Sequence, residues 1–119
     1  MARILVIDDN NEVLFTIEQA LVKNGHSVVT ATDGVRGEKL FRAEPFDVII
    51  TDIVMPEREG LETIVVLRRD FPQIPVIAMT GTGRNSVLYL GIANRLGARR
   101  VLTKPFSLQE LIDAVASVL

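Results

Sequence analysis

A doubly wound α/β fold, with five parallel strands covered by helices on both faces, is predicted by three features of these 119 residues. Short apolar runs alternate with amphipathic stretches five times. The runs are nearly unbroken by polar residues, as in strands buried on both faces rather than half-solvated ones. Four of the five strands lead into residues able to do chemistry: Asp8 and Asp9 after the first, Asp52 at the third, Thr80 at the fourth and Lys104 after the fifth. Strands alternating with helices, without internal repeat, low-complexity tract or linker, form parallel sheets with short right-handed crossovers.

Arg3 to Ile7 is the first predicted strand. A helix follows from Asn11, with Val13, Leu14, Ile17, Ala20 and Leu21 on one face, and stops at Asn24 and Gly25, a usual C-terminal pair. Ser27 to Ala31 is the second strand, and Gly34 to Ala43 a weaker helix through Val35, Leu40 and Phe41, closed by Pro45. The third strand, Val48 to Asp52, runs into Ile53, Val54 and Met55 before Pro56, where the residue preceding proline is biased away from helix and predicts a loop. Leu61, Ile64, Val65 and Leu67 mark a third helix reaching Phe71, ended by Pro72 and Pro75, before a fourth strand from Val76 to Met79 that stops at Thr80. Asn85 to Leu96 forms a fourth helix despite Gly91, which costs about 1 kcal/mol relative to Ala. Val101 and Leu102 are a short fifth strand. Ser107 opens the last helix by a capping box with Glu110, turning Leu108, Leu111, Ile112 and Val115 inward. Five strands in such folds commonly take the order 2-1-3-4-5, the flavodoxin-like (βα)5 arrangement, with a crevice at the carboxyl ends of strands one and three. Asp8, Asp9, Asp52, Thr80 and Lys104 then gather on one edge of the sheet.

Composition frames what such a crevice could serve. Residues 1–119 suit one domain that buries about two-thirds of its unfolded surface. With 48% hydrophobic and 24% charged residues the chain is not disordered, and a net charge of −2 offers no electrostatic case for direct nucleic-acid binding. Without cysteine there are neither disulfides nor thiolate metal sites. The first apolar run, Ile4 to Ile7, is too short for a signal sequence or a membrane span, so the expected location is the cytoplasm.

Three carboxylates in one crevice repel each other, which raises a pKa or draws in a cation. Oxygen ligands without His or Cys select a hard ion, and Mg2+ in particular is held by one or two carboxylates together with phosphate. The other residues then acquire roles: Asp52 as a nucleophile towards phosphorus, Lys104 neutralising phosphoryl oxygens and Thr80 hydrogen-bonding one of them. Singly, each has an ordinary explanation. The acidic pair suits a helix N-terminus, Lys104 a surface charge and Thr80 a strand end. Their coincidence at four strand ends favours phosphoryl transfer onto Asp52.

The motifs VIDDN at 6–10, TDIVMP at 51–56, Gly60-Leu61-Glu62, AMTG at 78–81 and TKPF at 103–106 together resemble the receiver domains of two-component response regulators, over essentially the whole chain. The resemblance implies that Asp52 is the phosphoacceptor and that Asp8, Asp9, Asp52 and the Val54 carbonyl arrange Mg2+. It further implies that Thr80 moves to meet the phosphoryl group, that Lys104 contacts it, and that the Lys104-Pro105 bond is cis. The donor would be a phosphohistidine on a sensor histidine kinase or histidine phosphotransfer protein, met along the first helix, where Phe15 and Val22 form an outward apolar stripe. His26 is read as a solvated turn residue remote from the crevice. The partner on the output side would be a downstream protein or an output domain beyond Leu119, where the last helix is expected to end. Such a protein is no enzyme beyond its own phosphorylation and dephosphorylation.

Departures from the family pattern are informative. Glu59-Gly60 replaces the usual Asp-Gly pair and keeps the turn glycine. Val54 and Thr82 occupy positions flanking the attacking-water path, and Val101 stands where the family often carries Tyr or Phe as a second switch element. Two other readings share the strand-end Asp: a Mg2+-dependent aspartyl-nucleophile phosphohydrolase, which would want an acid where Val54 stands, and a binding module of the same fold that is never phosphorylated. A nucleotide site is disfavoured, since Ser86 replaces the third glycine of a dinucleotide fingerprint and no P-loop occurs.

Overall fold

The structure is a computed structural model that describes residues 1–53, 60–81 and 86–119. Five strands, β1 (Arg3–Ile7), β2 (Ser27–Ala31), β3 (Val48–Asp52), β4 (Val76–Thr80) and β5 (Arg100–Thr103), alternate with α1 (Asn11–Lys23), α2 (Gly34–Ala43), α3 (Gly60–Asp70), α4 (Ser86–Arg95) and α5 (Leu108–Val118). All strand pairs are parallel and the order is β2-β1-β3-β4-β5, as the alternation predicts. Leu5 pairs with Val29 on one side and Ile49 on the other, and Ile50 with Ile77.

Successive residues of each central strand feed opposite layers. Ile4, Val6, Ile50 and Ile77 pack with Leu14, Ile17 and Leu21 of α1 and Leu111 and Val115 of α5. Leu5, Ile7, Ile49 and Ala78 pack with Phe41 of α2, Ile64 and Leu67 of α3 and Ala93 of α4. This two-sided burial is why the strands read as unbroken apolar runs. The described residues contain no helix long and apolar enough to cross a membrane.

Local signals set the helix ends. Asn10 Oδ1 accepts from the amides of Glu12 at 2.9 Å and Val13 at 3.2 Å, and Gly25 takes φ +94° after the last turn of α1. Asp33 caps α2 through the Arg36 amide, and the Ser107–Glu110 capping box opens α5 in both directions. Elsewhere the structure corrects the periodicity. Val35, expected inward, is largely exposed, because the inner face of α2 is Gly34, Gly37 and Phe41. Gly37 lets the helix lie so close to β1 that a Cβ there would stand 2.4 Å from Ile7 Cδ1. Leu108 shares the stripe of Leu111 and Val115 but belongs to the first turn of α5, where it is 48% exposed and lines a cavity. His26 is half-buried instead of simply solvated, its Nδ1 accepting from the Ala2 amide at 3.1 Å.

Candidate functional site

Each strand end delivers one part of the crevice. Asp8 follows β1 and is fully buried; its amide donates to Ala31 O at 3.1 Å, and its Oδ1 accepts from the Asn10 amide at 2.9 Å. Asp9, next in the chain, is exposed. Asp52 closes β3 and is buried, with Ile53 behind it donating to Met79 O at 3.0 Å. The chain then returns to begin α3 at Gly60, whose amide donates to Ile53 O at 3.0 Å. A Cβ at Gly60 would fall 1.9 Å from Asp52 O, so only glycine permits this return over the acid.

Carboxylate oxygens of Asp8, Asp9 and Asp52 lie within 4.8 Å of one another. Lys104 reaches the same point from beyond β5. Its Nζ donates to Asp8 Oδ2 at 2.6 Å and to Asp52 Oδ2 at 3.3 Å, while its amide donates to Thr80 O at 2.7 Å. The end of β4 thus holds the lysine backbone, and Thr80 itself is buried. The Lys104-Pro105 bond is cis, as the resemblance implied. Val54, the remaining predicted metal ligand, lies outside the described residues, as do Glu59 and Thr82.

Burial is the largest single influence on Lys104 and pulls its pKa down. The hydrogen bond to Asp8 and the charges of Asp52 and Asp8 outweigh it, and the net displacement is upward. The lysine therefore stays cationic. Among the described residues one lysine stands beside three carboxylates, and the donors there include no nitrogen or sulfur ligand. That chemistry fits a hard divalent cation such as Mg2+.

A feature missed by sequence reading lies beside the lysine: a cavity of about 560 Å³, lined among others by Asn10, Val13, Thr16, Lys104, Phe106 and Leu108. Its only advance signal was the apolar Phe106 and Leu108 following Lys104-Pro105. On α1 the outward stripe is present, with Phe15 63% and Val22 51% exposed.

The model of the response regulator receiver domain family matches residues 4–116. Protein PilH of Pseudomonas aeruginosa is 37% identical over 121 residues, covering 100% of this chain and 98% of that protein. The alkaline phosphatase synthesis transcriptional regulatory protein PhoP of Bacillus subtilis is 32% identical over 98% of this chain but only 48% of its own length, so the chain spans about half of some curated relatives and nearly all of others. Among solved structures, a response regulator receiver domain protein from Clostridium thermocellum superposes with a TM-score of 0.92 at 32% identity, covering 99% of this chain and 94% of that one. The chemotaxis protein CheY4 of Vibrio cholerae gives 0.90 at 29%, covering 100% and 99%.

Proposed function

This chain belongs to the response regulator receiver domain family, and from that premise we propose that it is a phosphoacceptor switch in which Asp52 takes a phosphoryl group from a phosphohistidine. The observation that carries the reading is the convergence of Asp8, Asp9 and Asp52 within 4.8 Å, with Lys104 Nζ bonded to two of them. An Asp52 carboxylate oxygen attacks phosphorus, the O–P bond forms as the N–P bond of the donor breaks, and the imidazole leaves with the electron pair. Asp8, Asp9 and Asp52 would hold Mg2+, together with the carbonyl of residue 54. Bound there, the ion supplies positive charge to the phosphoryl oxygens. Lys104 turns part of its hydrogen bonding from Asp8 and Asp52 towards the new oxygens, and the Thr80 hydroxyl supplies a further donor. Val101 is β-branched, stiff about χ1 and lies on edge strand β5, so Thr80 carries the response without an aromatic partner.

The exposed stripe of Phe15 and Val22 supports α1 as the surface met by a sensor histidine kinase or histidine phosphotransfer protein, and the cavity beside Lys104 extends that surface towards Asp52. The output side is either an appended domain, as the greater length of PhoP suggests, or a protein contact by a stand-alone regulator, as the nearly full coverage of PilH suggests. The cytoplasm is the compartment in which such an exchange would take place.

Incubation with Mg2+ and acetyl phosphate is expected to add one base-labile phosphoryl group per chain, seen by mass spectrometry, and Asp52→Asn to abolish it. Retained labelling of that variant would remove Asp52 from the role. Release of many phosphates per chain would instead favour a phosphohydrolase, and absence of labelling an unphosphorylated module. Phe15→Ala is expected to slow transfer from the cognate phosphohistidine while leaving acetyl phosphate labelling unchanged. Equal slowing with both donors would place the defect in the fold.

A further inference from the structure

We infer that a hollow at the amino ends of β3 and β4, at the other end of the strands from the carboxylate crevice, binds a small organic cation that carries an aromatic ring. The hollow measures about 490 Å³ and is lined among others by Phe41, Arg42, Glu44, Asp47, Phe71 and Gln73. Two short connections build it, the one from α2 to β3 and the one from α3 to β4.

Its walls are set before any ligand arrives. Arg3 and Asp47 exchange two bonds, the Arg3 amide donating to Asp47 Oδ2 at 2.8 Å and the Asp47 amide to Arg3 O at 2.8 Å. Ile49 donates to Pro75 O at 3.1 Å, which joins the two connections, and Ile74 donates to Phe71 O at 3.1 Å, which closes the turn after α3. Phe41 and Phe71 meet edge to face with centroids 5.4 Å apart, and the buried Phe46 adds a third ring. A preformed hollow with apolar walls and a few placed polar groups is the form that small-molecule sites take.

The sign of the ligand's charge follows from which polar groups are still open. Arg42 is held by Glu38 at 2.8 Å and by Asp70 at 2.7 Å, and these bonds, Asp70 first, raise its pKa. Arg3 pairs with Glu44, and its Nε, which has no partner, is buried away from solvent. An anion would compete with a carboxylate for either guanidinium. A cation displaces nothing: among the described residues Asp47 Oδ1 and Glu44 Oε2 accept no hydrogen bond, and Asp47 is exposed.

The rings favour the same sign. Arg3 Cζ stands 5.1 Å from the centroid of Phe46 and Arg42 Cζ 5.6 Å from that of Phe71, so the aromatic faces here already attract planar cations. A bare metal ion would use none of these rings. An aromatic cation matches both parts, its ring packing beside Phe41 and Phe71 and its ammonium meeting Asp47.

The test titrates the full chain, in the presence of Mg2+, with phenethylamine as the probe and follows the backbone amides by nuclear magnetic resonance. Saturable shifts are expected at Phe46, Asp47 and Ile74 and not at Asp8 or Asp9. Hydrocinnamate, with the same ring and the opposite charge, should bind about tenfold more weakly, as should butylamine, which lacks the ring. Asp47→Asn keeps an oxygen for the Arg3 amide; it should weaken phenethylamine by about three- to fivefold and leave the neutral phenethyl alcohol within about twofold. Circular dichroism reports the fold of the variant, and if it does not fold the ligand series on the wild type decides. Acetyl phosphate labelling of Asp47→Asn should be unchanged, so failure here is distinct from failure of the phosphoacceptor reading. Equal binding of hydrocinnamate or of butylamine overturns the inference, and so does undiminished binding of phenethylamine by Asp47→Asn. Shifts confined to the crevice overturn it as well, as does tighter binding at the hollow of the peptide Gly-Arg-Gly than of phenethylamine, which would assign the site to an arginine of another protein.

Discussion

At the carboxyl ends of the strands Asp8 and Asp52 are buried and share the half-buried Lys104, whereas at the amino ends the pairs Arg3–Glu44 and Arg42–Asp70 lie near the surface. Taking a carboxylate out of water costs several kcal/mol unless its partners replace the lost hydration. Among the described residues the molecule meets that cost at one end, where the two buried carboxylates share one lysine and the exposed Asp9 stands beside them. Burial of carboxylates around one shared cation thus marks the end proposed here to take further charge, a cation and a phosphoryl group. Exposed pairs at the other end are screened, and surface pairs of this kind contribute about 0–1 kcal/mol.

The comparison is broken most directly by forcing a side chain into the return over the acid. Gly60→Ala is expected to destabilise the fold by about 3 kcal/mol or more, because the new Cβ meets the Asp52 carbonyl and not a yielding side chain, and to depress acetyl phosphate labelling. Denaturant titration measures the first effect. A cost below about 1 kcal/mol would show that the carboxyl end is less tightly determined than its contacts indicate.

Lys104→Ala sharpens the contrast at intermediate size. Removing the cation shared by Asp8 and Asp52 should cost about 1–3 kcal/mol without divalent ions, a figure reduced from that of a fully buried pair because the lysine retains some solvent. Saturating Mg2+ should restore a substantial part, since an ion bound to the native state alone stabilises it. An unchanged difference with and without Mg2+ would separate the lysine from the ion binding proposed for these carboxylates. The smallest effect belongs to the opposite end. Arg3→Ala should cost about 1 kcal/mol or less and diminish further in high salt. A loss as large as that of Lys104→Ala would erase the distinction between the two ends.

Much of the architecture was legible before any coordinates. Strands β1 and β2 begin and end where the apolar runs do, α1 starts after Asn10, and the Ser107–Glu110 box opens α5. These are local outcomes: a strand buried on both faces must be apolar throughout, and a helix terminus must satisfy its free amides within a few residues. Because the order 2-1-3-4-5 brings particular strand ends together, the meeting of Asp8, Asp9, Asp52 and Lys104 was legible too, once the alternation of elements was recognised.

The sequence by itself therefore determined the succession of elements, their sheet order and the group of residues at one edge, since hydrophobic period, caps and chain connectivity act over short distances or through topology. Only the tertiary structure decided which small residues stand against a neighbour. Gly37 is pressed on Ile7 and Gly60 on the Asp52 carbonyl, while Gly91 opens onto space, and the three look alike in a string of letters. It likewise decided that Val35 and Leu108 face outward and that Lys104 approaches Asp8 more closely than Asp52. Distance of approach and the pairing of long charged side chains depend on atoms supplied by several elements at once. No periodicity along a single element encodes them.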